Sequence, residues 1–159
     1  MATDKQPMTL TGKAMLEAEL KRLLTQERPS VIRAIEEARG HGDLSENADY
    51  DAAKERQAFV EARISEIQGK LVGAEVVDPK SIKADRVVFG ATVVLQDLDT
   101  DDEVTYQIVG EDEADVKNGK ISVFSPLARS MIGKRAGDVV EFKSPKGERE
   151  YEILSFKFV

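Results

Sequence analysis

Apolar residues in the first half of the chain recur at helical spacing. Leu16, Leu20 and Leu23 step by four and three, Leu24 and Val31 are seven apart, and Val31, Ile35 and Ala38 step by four and three again. This seam predicts a long helix over residues 11–39, with a register shift near Pro29. Pro29 lacks a backbone donor, so a kink or local break is expected there. Gly40-His41-Gly42 ends the helix. A second stripe, Val60, Ile64, Ile67, Leu71 and Ala74, predicts a helix from about residue 44 to 72. Two seams joined by a short glycine-containing turn predict an antiparallel helical hairpin whose tip is residues 41–47. About 30 residues at about 1.5 Å rise would make an arm on the order of 45 Å long.

The pattern changes at Asp78-Pro79-Lys80. Pro79 and the polar stretch to Asp85 read as a linker over residues 78–84. Beyond it, Val87 to Leu95 reads as a strand interrupted by Gly90. Asp97 to Glu103 is an acidic turn, and Val104 to Val109 and Ile121 to Phe124 are further strands. Pro126 to Ile132 predicts a short helix with proline in its first position and Gly133 closing it. Val139 to Lys143 and Glu150 to Phe158 flank Ser144-Pro145-Lys146-Gly147, a hairpin turn. The expected fold class is α+β in two domains: a hairpin over residues 1–77 and a small antiparallel α+β domain over 85–159.

The formal charge of −7 argues against a free duplex-DNA binder, whose affinity comes mostly from cationic phosphate contacts. Its distribution adds little. Residues 1–77 hold 14 acidic and 11 basic side chains, and 78–159 hold 16 and 12. The chain has no cysteine, which excludes thiol nucleophiles and thiolate zinc sites. It shows neither a signal-peptide pattern nor an apolar run of about 18 to 20 residues, so a soluble cytoplasmic protein is expected.

Candidate chemistry gathers at the tip. Asp43 and Glu46 are three apart, a spacing that puts two carboxylates on one side of a helix end. They could hold a hard divalent cation through oxygen. Alternatively, Asp43 is the N-cap and Glu46 the third residue of a capping box. Two carboxylates do not make a complete metal cage, so a metal held there would be shared with a partner. His41, the only histidine, is explained by the helix C-terminus it follows. Arg39, Lys54 and Arg56 lie close to the tip and are candidates for phosphate contact, or are plain solvated surface. The acidic run Asp97, Asp99, Asp101, Asp102, Glu103 lacks the spacing of a calcium loop, and no nucleotide-binding or hydrolase motif is present.

Three blocks resemble the GreA/GreB family of transcript cleavage factors, and within it the GreA type. They are His41-Gly42-Asp43-Leu44-Ser45-Glu46-Asn47-Ala48-Asp49-Tyr50 followed by Ala52-Ala53-Lys54-Glu55, then Phe89-Gly90-Ala91-Thr92-Val93, then Ser125-Pro126-Leu127-Ala128-Arg129 ending Ile132-Gly133-Lys134. The resemblance runs from Pro7 to the C-terminus. It implies a coiled-coil hairpin and a C-terminal domain of FKBP-like fold. It implies docking of that domain at the rim of the secondary channel of bacterial RNA polymerase, with Ser125 and Pro126 in the contact segment. The hairpin would reach the polymerase active site. There Asp43 and Glu46 would help hold a second Mg²⁺ shared with the polymerase, which then hydrolyses its own backtracked RNA near the 3′ end. Arg39, Lys54 and Arg56 would contact that RNA. Lys54 stands where the pattern often shows Arg, keeping the charge without the bidentate fork. No cofactor is expected on the chain alone, and no self-contained enzyme activity.

Two other readings remain at this stage. One is an anti-cleavage member of the same family that blocks the channel; the retained Asp-x-x-Glu tip argues against it. The other is a coiled-coil chaperone or prolyl isomerase, disfavoured by the scarcity of aromatics in the C-terminal half.

Overall fold

A computed structural model describes residues 5–43 and 46–159. It divides into two compact units. One is Ala14–Gly73; the other joins the N-terminal segment through Lys13 to Ala74–Val159.

The helical unit is built along the predicted seam. Helix α1 spans Leu10–Arg22, α2 Arg28–Arg39 and α3 Ala48–Val72. Leu16, Leu23, Val31, Ile35 and Ala38 are buried on the outgoing arm, and Ala53, Val60, Ile64 and Ile67 on the returning one. Leu23–Glu27 between α1 and α2 is a π-helical segment in which the Arg28 amide donates to the Leu23 carbonyl, five residues back. Its cause is Pro29, near the start of α2. Without an N–H and with a ring that crowds the carbonyl four residues back, proline forces the turn before it to widen. The break falls on the N-terminal side of Pro29, and helical backbone continues through it. The 25 residues of α3 give a rod about 37 Å long at about 1.5 Å per residue.

Ion pairs flank the seam. Arg63 on α3 grips Glu19 on α1 through two hydrogen bonds of 2.7 and 2.8 Å. Arg28 grips Glu61 the same way, both at 2.8 Å, and Arg56 reaches Glu27 at 2.8 Å. These guanidinium bonds hold the carboxyls of Glu19, Glu27 and Glu61 below the usual glutamate range.

The second unit departs from the expected boundaries. Strand β1, Gln6–Thr9, pairs in parallel with β2, Ala74–Val77. Residues 74–77 and the N-terminal segment therefore belong with the sheet unit, not with a hairpin domain over 1–77. Residues 78–84, expected as a linker, also lie in this unit. Pro79 is buried in a short 3₁₀ turn capped by Asp78. Periodicity could not show this, because four-residue strands carry too little pattern and their pairing spans the whole hairpin.

The larger sheet has the order β5-β4-β3-β7-β6, with β3 Thr92–Asp97, β4 Glu103–Val109, β5 Lys120–Ser122, β6 Val139–Ser144 and β7 Gly147–Lys157. The β4–β5 pairing is parallel and the others antiparallel. The strand expected from Val87 begins only at Thr92. Gly90 takes a positive φ of 92°, and Val87 instead bonds the loop at Gly133 and Lys134. Helix α4, Pro126–Met131, covers one sheet face. The core there is Val87, Val93, Leu95, Ile108, Ala128, Met131, Val140 and Ile153.

Tight contact fixes β1 to this unit. A Cβ on Gly110 would sit 2.8 Å from the Pro7 carbonyl oxygen, so only glycine lets the two backbones approach. Thr9 is buried and donates its hydroxyl hydrogen to the buried carboxylate of Glu113, while accepting from the Gly12 amide at 3.1 Å. Thr9 thus caps α1. Lys120 approaches the other oxygen of Glu113 at 3.5 Å. Among the described residues no buried side-chain polar atom lacks a partner.

Candidate functional site at the hairpin tip

The tip loop follows from how its two helices end. Helix α2 stops at Arg39, and Gly42 takes a φ of 101°, a left-handed conformation that favours glycine. Helix α3 begins at Ala48, and its N-cap is Asn47, whose Oδ1 accepts from the Tyr50 amide at 3.0 Å. This corrects the helix start expected near residue 44. The N-cap of α3 is thus Asn47 and not Asp43, and Glu46 precedes that cap and is not the third residue of its capping box. Asp49 and Asp51 supply the negative charge in the first turn of α3.

Asp43 and Glu46 are exposed and lie in the loop. Together with His41, Asn47, Ala48 and Asp49 they line a shallow concavity of about 420 Å³. His41 Nδ1 lies 3.6 Å from an Asp49 oxygen. Among the described residues no group of three or more His, Cys, Asp or Glu is arranged to hold a metal. The two tip carboxylates are hard oxygen donors suited to Mg²⁺, but only as part of a coordination shell.

The basic candidates differ in what they do. Arg39 is exposed at the end of α2 and forms no ion pair among the described residues. Lys54 is exposed and donates to Gln57 Oε1 at 3.0 Å. Arg56 is engaged by Glu27, which also takes Arg22 at 3.0 Å. Its guanidinium braces the hairpin, so the structure separates Arg56 from the two cations that remain open to a ligand. In the other unit, Ser125 is the N-cap of α4. Its Oγ accepts from the Ala128 amide at 3.3 Å and donates to the Ser122 carbonyl at 2.7 Å. Pro126, at the helix start, is exposed, and so is Phe124 beside it.

Sequence reasoning overlooked Asn47. Its carboxamide is 9% exposed and joins both arms, because its Nδ2 donates to the Ala38 carbonyl at 2.6 Å. The signal was available: asparagine is among the best N-cap residues, and it stands directly before an unbroken helical run.

A family model for the N-terminal part of transcription elongation factors matches residues 6–76. The model described as "Transcription elongation factor, GreA/GreB, C-term" matches residues 82–158. The chain belongs to the GreA/GreB family of transcription elongation factors. It is 60% identical over 154 residues to transcription elongation factor GreA of Ralstonia nicotianae, covering 96% of this chain and 98% of that one. It is 59% identical over 151 residues to transcription elongation factor GreA of Hyphomonas neptunium, covering 95% and 96%. Among solved structures, GreA factor homolog 1 (Gfh1) of Thermus thermophilus matches with a TM-score of 0.44 at 27% identity, covering 96% of this chain and 98% of that one. No helix among the described residues is long and apolar enough to cross a membrane.

Proposed function

We propose that this chain stimulates hydrolysis of backtracked RNA by RNA polymerase, acting through its hairpin tip. The reading rests on one observation. Asn47 caps α3, so that helix does not need Asp43 as its N-cap, and Asp43 and Glu46 both line one exposed concavity. Inside the secondary channel of the polymerase, the two carboxylates would complete the shell of an Mg²⁺ that the polymerase holds weakly. That ion supplies water activation and charge stabilisation for an in-line displacement. The chain's own part is to bring two anionic oxygens to the 3′ end of the RNA and to keep them oriented. Arg39 and Lys54 would steady the RNA by phosphate contact, with Arg56 bracing the arm. The sheet unit would dock through the segment at Ser125 and Pro126, where Ser125 holds the helix start and Pro126 offers the contact. Two carboxylates do not assemble a two-metal site alone, so the isolated chain would cleave nothing.

The test uses stalled, backtracked elongation complexes carrying end-labelled RNA, with and without the chain. Shortening of the RNA only when polymerase, Mg²⁺ and the chain are all present supports the reading. Metal-dependent cleavage by polymerase-free protein overturns it. A chain that binds the complexes and suppresses their intrinsic cleavage would point instead to the anti-cleavage reading.

A further inference from the structure

Among the described residues, the carbonyl of Ala38 is met from both sides of the tip that carries Asp43 and Glu46. The oxygen of Ala38, in the last turn of α2, accepts from the His41 amide at 3.1 Å. It also accepts from Asn47 Nδ2 at 2.6 Å. A peptide oxygen has two lone pairs, and here one goes to each end of the loop. The other half of the Asn47 carboxamide starts α3 by accepting from the Tyr50 amide at 3.0 Å. Asn47 is nearly buried, although Asp43 and Glu46 before it are exposed. Ala38 is buried in the seam, so the clamp point is itself fixed by hairpin packing.

We infer that Asn47 is a positioning residue for the cleavage reaction. Its carboxamide ties the end of α2 to the start of α3, so that Asp43 and Glu46 meet the metal as a preorganised pair. The inference rests on the metal-binding reading of those two acids. The chemistry requires an amide in particular. The side chain must accept at the helix start and donate across to Ala38 at the same time. Asp accepts at both oxygens, and Ser is too short to span both partners. Either would still cap α3, since Ser, Asp and Asn cap about equally well. Loss of the clamp therefore separates from loss of the helix. Each open-loop variant must order its two carboxylates when the metal arrives, so the defect should show as weakened metal use, not as lost docking.

The experiment compares full-length Asn47→Ser, Asn47→Asp and Asp43→Asn with the parent chain. Three readouts are taken: stimulated RNA cleavage across a Mg²⁺ titration, competition for polymerase, and amide hydrogen exchange of the free chain. Partners that orient metal ligands typically contribute about 10- to 100-fold. Both Asn47 variants should thus need about 10-fold more Mg²⁺ for half-maximal cleavage. They should compete for polymerase as the parent does, and their His41 and Gly42 amides should exchange faster. Asn47 variants with an unchanged Mg²⁺ requirement beside an inactive Asp43→Asn would overturn the Asn47 inference alone. Unaltered exchange at His41 and Gly42 would overturn it too, since the clamp would then not be what closes the loop. Full cleavage by Asp43→Asn would remove the metal-binding reading, and the use assigned to Asn47 with it.

Discussion

The helical unit and the sheet unit are held together by different means. The hairpin buries one narrow seam and flanks it with guanidinium–carboxylate pairs such as Arg28–Glu61 and Arg63–Glu19. The sheet unit buries a compact cluster around Leu95, Ile108, Met131 and Ile153, and keeps Thr9, Asp97 and Glu113 inside as satisfied polar groups. An arm two helices thick has only that seam as its interior, so its charged groups lie on the surface. A sheet covered on one face by a helix has a broader interior and can bury carboxylates, provided that each is met by a donor. The exposed acids proposed to act on RNA lie on the arm, outside its buried seam.

Four experiments bear on this contrast. The largest effect should come from the tip. Asp43→Asn and Glu46→Gln are expected to lower stimulated cleavage by about 100-fold or more, since losing a ligand exceeds losing its outer partner. Polymerase competition and melting temperature should hold, because neither acid caps α3. Near-normal cleavage by both would remove the metal role.

Next is the core. Ile153→Ala, at a fully buried site, should destabilise the sheet unit by about 3 to 4 kcal/mol. Ile67→Ala, equally buried in the hairpin seam, should fall nearer about 2 kcal/mol, because two helices can close on a gap more freely than a sheet. Denaturant melts followed separately by helical and near-ultraviolet signals would measure both. Equal losses would contradict the contrast.

Thr9→Val poses the same question for polar burial. It leaves a buried Glu113 oxygen without its hydroxyl donor and should cost about 1 to 3 kcal/mol. The change should appear mainly in the sheet unit, with loss of helix content confined to the first turn of α1, which Thr9 caps.

The smallest effect is one of pH, and its sign differs between the units. Glu19, Glu27 and Glu61 are held below the ordinary glutamate value of 4.5 by arginine hydrogen bonds. Their stabilisation is complete above that value and is lost as pH falls below it. Glu150 stands directly opposite Glu141 across the β6–β7 ladder. A hydrogen bond between the two carboxyls and their mutual repulsion hold Glu150 above 4.5. A raised carboxyl is most stabilising while protonated, and that contribution is lost as pH rises through its folded value. Acidification through this range should therefore loosen the arm while easing the β6–β7 pairing. Both effects are small, since these groups are exposed. Glu141→Gln should remove the second effect alone, as read from melting of the sheet unit at pH 4 and pH 7, roughly either side of the glutamate range. Parallel pH responses in the two units would count against it.

Much of this molecule was written in its periodicities. The four-and-three stepping of Leu16 to Ala38 and Val60 to Leu71 specified the two arms, and Gly40 to Gly42 specified where the first one ends. Ser144 to Gly147 specified the β6–β7 turn, and Pro126 the start of α4. These features depend on neighbours along the chain, which a sequence displays directly. The motif around Asp43 and Glu46 likewise named the candidate chemistry and the family before any coordinates. Tertiary structure decided what depends on distant partners. β1 and β2 are too short to show a pattern and exist because Gln6–Thr9 meets Ala74–Val77 across the full length of the hairpin. Residues 78–84 look like a linker until Pro79 is seen to be buried. Arg56 resembles a free cation in sequence, and only folding brings Glu27 to it. The question of which residue caps α3 had more than one answer by spacing. It was closed by Asn47, whose donor finds the Ala38 carbonyl nine residues back only once both arms are packed, because a side chain chooses its partner by distance in space.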